Sequence, residues 1–317
     1  MAVQAPGAVI LIRPRCFSPN PETSADNAFQ SCDTSVSATD LAGAAYREVS
    51  AAAAVLQQHG VDVHLFDDDA PGRPDSVFPN NWISTHAGGH VALYPMHAPS
   101  RRTERRSDVV EMLKARYRVQ DVVDYSGLEL DDIYLEGTGA MVLDHAARVA
   151  YVARSRRADP LALERFCTHF GFEPLVFDAA DAAGRPIYHT NVMMTIATDF
   201  ALIGLSLISS PARRDHVVER LQAQGREVLD LSLHQIHQFA GNAIELQGGR
   251  GRVLALSTRA LESLRPEQIR VIERSCTIVP LRVPTIELAG GSVRCMLAGI
   301  HLEPRPAAGP AASRSGT

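Results

Sequence analysis

The chain has 317 residues, 45% of them hydrophobic, and a formal net charge of −5. This length and composition suit one large domain or two small ones with a substantial buried core. The two signs of charge are mixed along the chain, which argues against a nucleic-acid binder that neutralises phosphates with a basic field. No apolar run reaches the roughly 20 residues that are needed to span a bilayer.

The first predicted element is a β-strand over the apolar run Ala8–Ile12. No basic flank precedes this run and no small-residue cleavage pattern follows it, so a signal peptide is not expected. The five cysteines are widely spaced and include no Cys-x-x-Cys pair, which argues against a disulfide framework and against zinc. We therefore expect a reduced, cytoplasmic protein without a membrane span.

A long loop is predicted next, over Phe17–Cys32, because this segment is rich in Pro, Asn and Ser. Loops of that length within a compact domain are often functional, so this one is a candidate lid over a binding site.

Five clusters of small or polar residues follow, and each leads into a short apolar strand. They recur about every 50 residues, a period typical of a repeat architecture. The clusters are Phe78–Ile83, Leu135–Val142, Tyr188–Met194, Phe239–Leu246 and Gly291–Leu297.

The segments between the clusters are also regular, with a second strand, a helix and a further strand. Second strands are predicted at Val91–Tyr94, Val149–Val152, Ala201–Leu205 and Val253–Leu256. Helices with charged faces are predicted at Arg105–Tyr117, Asp159–Phe170, Pro211–Gln224 and Thr258–Ser275. Further strands are predicted at Glu173–Phe177 and Thr277–Leu281. Alternating strands and helices indicate an α/β fold, and five such units around a centre would bring the clusters to one mouth.

The domain organisation follows from this pattern. We predict a single domain over residues 1–304. Residues 305–317 are rich in Pro, Ala, Gly and Ser and are predicted to form a disordered tail.

Three of the clusters carry groups that suit covalent catalysis by a thiol. Cys295 follows the turn signal of residues 290–292 and is predicted at the mouth of a strand, His189 lies in the third cluster, and Glu136 in the second. A cysteine, a histidine and a carboxylate are the parts of a thiol-nucleophile enzyme, although only the fold can bring them together. A charged His189 and the neighbouring Arg294 would favour the thiolate.

With these motifs in this order, the chain resembles the guanidine-modifying superfamily of five-bladed α/β propellers, the pentein fold with a central active-site channel. The superfamily includes arginine deiminases, dimethylarginine hydrolases and amidinotransferases, and the closest likeness is to the arginine-deiminase-related branch linked to citrulline use. The resemblance depends on segments 74–78, 98–104, 135–137, 188–189, 240–242 and 294–296.

The resemblance implies a role for six residues. It implies that Cys295 is the nucleophile, His189 the general acid and base, and Glu136 the carboxylate that orients the histidine or holds a substrate nitrogen. Arg101 and Arg157 match residues that grip a substrate α-carboxylate, and Asp75 matches a residue near the charged end of the substrate.

The chain departs from the resembling enzymes where they bind a guanidinium with carboxylates. Asn80, Asn81 and Asn191 stand at positions where relatives carry acids, and Gly139 is a smaller departure of the same kind. An amide provides no counter-charge for a guanidinium, but it offers a donor and an acceptor to a neutral ureido group. We therefore expect citrulline to be cleaved to ornithine, ammonia and carbon dioxide.

Other functions stay open at this point. One is an arginine or dimethylarginine deiminase or hydrolase, and another is an amidinotransferase or a non-catalytic binding protein with the same fold. No metal-ligand spacing is evident among the histidines, and no cofactor is expected. The expected partner is a small amino-acid substrate, and a homodimer is compatible with the sequence.

Overall fold

The computed structural model describes residues 3–31 and 37–306. The strands within these ranges are β1 (Ala8–Pro14), β2 (Asp62–Asp68), β3 (Ile83–His86), β4 (His90–Leu93), β5 (Asp121–Asp124), β6 (Met141–Asp144), β7 (Val149–Ala153), β8 (Glu173–Phe177), β9 (Met194–Ile196), β10 (Phe200–Ile203), β11 (Glu227–Asp230), β12 (Ile244–Gly248), β13 (Gly251–Ser257), β14 (Thr277–Leu281) and β15 (Ala298–Ile300).

The α-helices in the same ranges vary from 4 to 21 residues in length. They are α1 (Ala38–Gln58), α2 (Ser107–Arg116), α3 (Gly137–Ala140), α4 (Pro160–Phe170), α5 (Pro211–Gln222), α6 (Leu233–His237), α7 (Thr258–Ser263), α8 (Pro266–Glu273), α9 (Pro284–Glu287) and α10 (Val293–Met296). Single 3-10 turns occur at Pro79–Asn81, Pro99–Glu104, Ser126–Asp131, Thr190–Val192 and Leu205–Leu207.

The described strands form five three-stranded sheets with one common pattern. In each sheet the central strand runs antiparallel to one neighbour and parallel to the other. A parallel pair requires a crossover, and a helix provides it in every unit: α1, α2, α4, α5 and the pair α7–α8. The predicted α/β class is confirmed, and the number of sheets equals the number of predicted units. The propeller arrangement around a central channel stays a prediction.

The crossover helices carry the start and stop signals that their sequences predict. In α1, Ser37 accepts a hydrogen bond from the backbone of Asp40, and the buried positions recur at helical spacing along one face. In α4, Asp159 caps the first turn, Pro160 occupies the first helical position, and Gly171 ends the helix at φ 66°. These helices pack the apolar core against the sheets.

Segments from both ends of the described chain meet in one sheet. Strand β1 pairs in parallel with β2, and its first three residues pair antiparallel with β15. The unit that contains Cys295 is therefore assembled from sequence positions at opposite ends of the domain.

One predicted helix is wrong in extent. The stretch Thr258–Ser275 forms two helices, α7 and α8, that are separated at Leu264 and Arg265. Pro266 is the cause, because proline lacks a backbone N–H and disfavours helical geometry in the residue before it. The apolar spacing continues across the break, so periodicity alone does not reveal it.

The predicted loop and tail are partly described. Residues 17–31 contain turns but no helix or strand, as predicted, and Cys32 lies outside the described residues. Within the predicted tail, the backbone N–H of Arg305 donates to the carbonyl of Arg116, and its guanidinium donates to the carbonyls of Lys114 and Tyr117. Residues 307–317 lie outside the described part. No described helix has both the length and the apolar character that crossing a bilayer requires.

Candidate active site

A short turn or helix precedes the first strand of each unit, and each is one of the five predicted clusters. These segments are Pro79–Asn81, α3, Thr190–Val192, the turn at residues 239–243, and α10. They contact one another in succession. For example, the Asn242 side chain donates to the carbonyl of Asn191 at 2.9 Å and accepts from the backbone of Arg294 at 3.0 Å. The clusters are thus brought together, although Cys295 lies in a helical turn three residues before its strand rather than at the strand mouth.

The predicted histidine and carboxylate form a buried pair. His189 Nε2 lies 2.8 Å from Glu136 Oε2, and both side chains are at most 2% exposed. Burial would raise the pKa of Glu136, but Arg157, His189 and Arg101 outweigh it and hold that pKa well below its usual range. Because Glu136 is a carboxylate, Nε2 of His189 carries the donated proton and Nδ1 keeps its lone pair.

The histidine is neutral in this environment. Burial lowers the pKa of His189 to about 4, and the opposing effect of Glu136 is too small to restore it. Arg157 and Arg101 add to the lowering. This argues against the expectation that a charged His189 favours the thiolate of the free enzyme. A neutral imidazole can instead accept the thiol proton at Nδ1.

The Cys295 thiol is 3% exposed and is surrounded by amide groups. Asn191 Nδ2 lies 3.4 Å from its sulfur, and Asn242 Nδ2 lies 3.3 Å from it. Asn242 also accepts hydrogen bonds from the backbone of Ser292 and Arg294, so it fixes the loop that carries the thiol. The sequence analysis did not include Asn242 among the site residues.

Gly139 creates space between two of these groups. A Cβ atom at this position would lie 2.2 Å from Asn81 Nδ2 and 2.8 Å from His189 Nδ1. The missing side chain at residue 139 is therefore what allows the amide and the imidazole to approach the same point.

Arg101 fixes the orientation of the Asn81 amide. Its Nη1 donates to Asn81 Oδ1 at 2.9 Å, and because arginine has no acceptor, the amide oxygen must face it. Asn81 Nδ2 is then left as a buried donor without a partner among the described residues. An unpaired buried N–H costs free energy unless a ligand satisfies it.

The charge of Arg101 is compensated by carboxylates within the protein. Its Nε and Nη2 bond Glu104, with Nη2 at 3.0 Å from Oε2, and Asp75 and Glu136 each approach within 3.7 Å. Burial would lower the pKa of Arg101, but these carboxylates raise it. Burial raises the pKa of Asp75, and Arg101 only partly offsets this effect. Arg101 thus lies beside Asn81, and its contacts favour a role in orienting that amide over the expected grip on an α-carboxylate.

Arg157 is held by the predicted loop. Its Nε and Nη2 donate to Asp26 at 3.1 and 2.5 Å, and its Nη1 lies 3.4 Å from Glu136. The same loop segment bonds Asp75 through Asn20 at 2.9 Å. Asp26 therefore occupies the face of Arg157 that an α-carboxylate would need. Asp26 was not predicted as a site residue, because no motif distinguishes it from the other polar residues of its loop.

A small cavity of about 10 Å³ joins most of the predicted site residues. Its lining includes Asp75, Asn81, Arg101, Arg157, His189 and Cys295, together with Thr23 and Asn27 of the loop. Glu136 and Asn191 reach it through their contacts with His189 and Cys295. Asn80 is buried but does not line the cavity, and neither polar atom of its side chain has a partner among the described residues. A cavity of this size holds about one water molecule, so a larger substrate requires it to widen.

Comparisons with known proteins identify the family. The family model for N,N dimethylarginine dimethylhydrolase, eukaryotic, matches residues 13–302. The chain belongs to this family. Membership makes it an enzyme of the guanidino-group hydrolases within the pentein superfamily, as the resemblance implied. No curated protein matches the chain.

Several solved structures share the fold of this dimethylarginine dimethylhydrolase family member. The N-terminal domain of ArgZ, covalently bound to a reaction intermediate, is 14% identical with a TM-score of 0.70, over 92% of this chain and 97% of that domain. Apo ArgZ, an arginine dihydrolase from the ornithine–ammonia cycle in cyanobacteria, is 15% identical with a TM-score of 0.71, over 94% of this chain. The chain spans only 41% of that protein. A dimethylarginine dimethylaminohydrolase adduct is 13% identical with a TM-score of 0.63, over 95% of this chain and all of the other.

Proposed function

We propose that the protein hydrolyses a C–N bond of a ureido amino acid through a covalent intermediate on Cys295, with citrulline as the substrate. The observation that carries this proposal is the Asn81 amide, whose oxygen is held by Arg101 and whose Nδ2 donor is buried with no partner among the described residues. A ureido group offers a carbonyl oxygen to that donor. A guanidinium has donors only and would face the amide donor with another donor.

The charges around the cavity support a neutral reacting group. Glu104 bonds Arg101, Glu136 bonds His189 and Arg157, and Asp26 bonds Arg157. These carboxylates already have cationic or imidazole partners, so a guanidinium would have to compete for them. Unpaired buried charge is costly, which makes an uncharged ureido end the better fit.

The proposed reaction uses Cys295 and His189, which both line the cavity. Nδ1 of neutral His189 accepts the Cys295 proton, and the thiolate attacks the ureido carbon. The bond from that carbon to the side-chain nitrogen breaks, the imidazolium protonates this nitrogen, and ornithine leaves. A carbamoyl thioester remains on the sulfur. His189 then takes a proton from water, which hydrolyses the thioester to carbamate, and carbamate decomposes to ammonia and carbon dioxide. Breaking the other C–N bond first would release ammonia before ornithine, with the same final products.

The remaining residues have positioning roles in this proposal. Glu136 holds the imidazole tautomer, Asn191 and Asn242 hold the thiol, and Asp75 contacts the ureido nitrogens. Arg157 binds the α-carboxylate once Asp26 releases it, and residues 17–31 act as a lid. The successive contacts of the five segments and the ring closure through β1 and β15 support the expected five-bladed propeller with the site at its centre.

A dimethylarginine or arginine hydrolase is the second candidate. Asp75 favours it, because this buried carboxylate lines the cavity and its nearest cation, Arg101, is 3.7 Å away. A guanidinium could pair with Asp75 more closely than Arg101 does. The substrates named for the family and for ArgZ are of this kind.

The test is to incubate the purified protein separately with citrulline, arginine and dimethylarginine, and to quantify ornithine, citrulline and ammonia. We expect the protein to form ornithine from citrulline. In Cys295→Ser, the rate of ornithine formation should fall by at least about 10⁴-fold. Citrulline formed from arginine or dimethylarginine would overturn the proposal in favour of the second candidate. Mass spectrometry of the acid-quenched reaction identifies a carbamoyl group on the Cys295 peptide.

A further inference from the structure

A second polar cavity lies along the first strands of the five units, and it shares no lining residue with the catalytic cavity. Its volume is about 50 Å³. Its lining includes Thr85, His145, Thr195, Glu245 and His301, which come from or directly adjoin the strands that follow the five clusters, and Arg294 of α10. The proposed reaction uses none of these residues.

Arg294 brings a positive charge into this cavity without a matching negative one. Its Nη1 donates to the carbonyl of Leu297 at 3.0 Å. Within residues 3–31 and 37–306, no carboxylate lies within 4.0 Å of its guanidinium. Burial lowers the pKa of Arg294 to about 10, so the group is still charged at neutral pH. The Arg294 side chain is half-buried, and a guanidinium partly withdrawn from water without a counter-ion costs free energy.

His145 offers the cavity a hydrogen-bonding atom that nothing else uses. Its side chain is 7% exposed, and in the described part of the chain its Nδ1 has no hydrogen-bond partner. The ring stacks on His301 with centroids 3.8 Å apart, which fixes its plane. Gln4 closes the same end of the cavity, because its Oε1 accepts from the backbone of His145 and its Nε2 donates to Leu143 and Ile196.

The carboxylate in the lining does not neutralise Arg294. Glu245 Oε2 accepts from the backbone and hydroxyl of Thr198 at 2.8 and 2.6 Å. Its Oε1 accepts from Cys276 at 3.2 Å and lies 3.3 Å from Arg252. Both oxygens are therefore committed to other partners.

These contacts decide whether the cavity suits a cation or an anion. Histidine rings alone would suit a metal cation, but a permanently charged guanidinium in the same small space repels one. An anion would compensate Arg294 and would accept a hydrogen bond from Nδ1 of His145. The volume exceeds the roughly 10–15 Å³ that one water needs, yet it is small for a polyatomic organic anion.

We propose that this cavity is a binding site for a small monovalent inorganic anion of halide size, held between the Arg294 guanidinium and Nδ1 of His145. The site is independent of the identity of the substrate. Bromide is a suitable probe because it has the charge and size of the proposed ligand and can be located by its anomalous scattering.

Two measurements test the site. Crystals grown with sodium bromide should show an anomalous peak between Arg294 and His145. In solution, the midpoint of thermal unfolding should be higher in sodium bromide than in sodium gluconate at equal ionic strength, because only the smaller anion enters the cavity. Arg294→Gln should lose the peak and the shift. Arg220→Gln, which removes a surface guanidinium paired with Glu173, should retain both.

If Arg294→Gln does not fold, His145→Leu is the alternative test variant. It should lose at least half of the bromide-dependent rise in the midpoint of thermal unfolding. Water alone at this place in bromide-grown crystals would overturn the proposal. A bromide peak without any difference between the two salts in solution would overturn it as well, since it would reflect occupancy at crystal concentration only. An undiminished shift in Arg294→Gln or in His145→Leu would do the same.

Discussion

The two internal cavities differ in what they leave unpaired. In the cavity beside Cys295, Arg101 is paired with Glu104 and Glu136 with His189, and among the described residues an amide donor of Asn81 has no partner. In the second cavity, the group without a counter-charge among the described residues is the guanidinium of Arg294. Because a ligand can complete what the protein leaves unsatisfied, we propose a neutral hydrogen-bonding group for the first cavity and an anion for the second.

The largest expected effect comes from changing the free donor to an acceptor. In Asn81→Asp, the ureido oxygen would face a carboxylate, and we expect kcat/KM for citrulline to fall on the order of 10³-fold. Arginine turnover should fall much less or increase. Steady-state kinetics with both substrates measure the change in preference, with Gln222→Glu on the exposed face of α5 as the charge control. Equal losses for both substrates would contradict the role assigned to the amide donor.

A methyl group at residue 139 tests the close approach of the amide and the imidazole. The new Cβ in Gly139→Ala would overlap Asn81 Nδ2 and His189 Nδ1, so both must move. We expect kcat/KM to fall about 10²-fold, because misplacement by about 1 Å has effects of that size. Gly127→Ala is the matched control, since its Cβ meets nothing within 4 Å. If both variants kept full activity, the packing described around Gly139 would be wrong.

Acid sensitivity should come mainly from buried, neutral histidines, which include His189 and three rings in or beside the second cavity. Burial lowers the pKa of His86 and His145 well below 6.5 and that of His301 to about 4. The unfolded chain therefore binds more protons than the native state below pH 6.5. Consequently, the free energy of unfolding should fall as pH drops from about 6.5 toward 4, by roughly 1.4 kcal/mol per pH unit for each such histidine.

Urea titrations at several pH values measure this slope. In His86→Gln the slope should be smaller by about one proton, whereas His216→Gln, on the exposed face of α5, should leave it unchanged. A wild-type stability that is constant between pH 6.5 and 4.5 would show that these rings are not held neutral.

The smallest effect concerns the loop over the catalytic cavity. In Asp26→Asn the ion pair with Arg157 is lost, so an incoming α-carboxylate no longer competes with a carboxylate of the protein. We expect KM for citrulline to fall roughly threefold to tenfold with little change in kcat. Asp108→Asn, at the start of α2, is the control. A higher KM would show instead that Asp26 contributes to substrate binding.

The repeated units could be predicted because the signals for each one lie close together in the sequence. Polar clusters, apolar strands and the caps of α4 and α5 all depend on neighbouring residues. The sequence also pointed to Cys295, His189 and Glu136, whose residue types have few roles in such a setting. Pro266 is also a local signal, for the break between α7 and α8, but the apolar spacing continues across it and so predicted a single helix.

Partnerships across units were beyond sequence reasoning. Nothing near Arg101 in the chain indicates that it orients Asn81, and nothing near Asp26 indicates Arg157. The neutral state of His189 is likewise a consequence of complete burial beside two arginines, which only the fold produces. Most of the features that could not be predicted are therefore contacts between residues that lie far apart in the sequence and are brought together by packing.

The pairing of β1 with β15 has a consequence for synthesis. A ribosome makes β1 early, but its antiparallel partner emerges only after almost all of the described domain has been translated. The nucleophile candidate lies three residues before that last strand, in the turn that the strand anchors. The sheet of β1 and β2 can therefore gain its third strand, and the turn that carries Cys295 its anchor, only after residues 298–300 have been made.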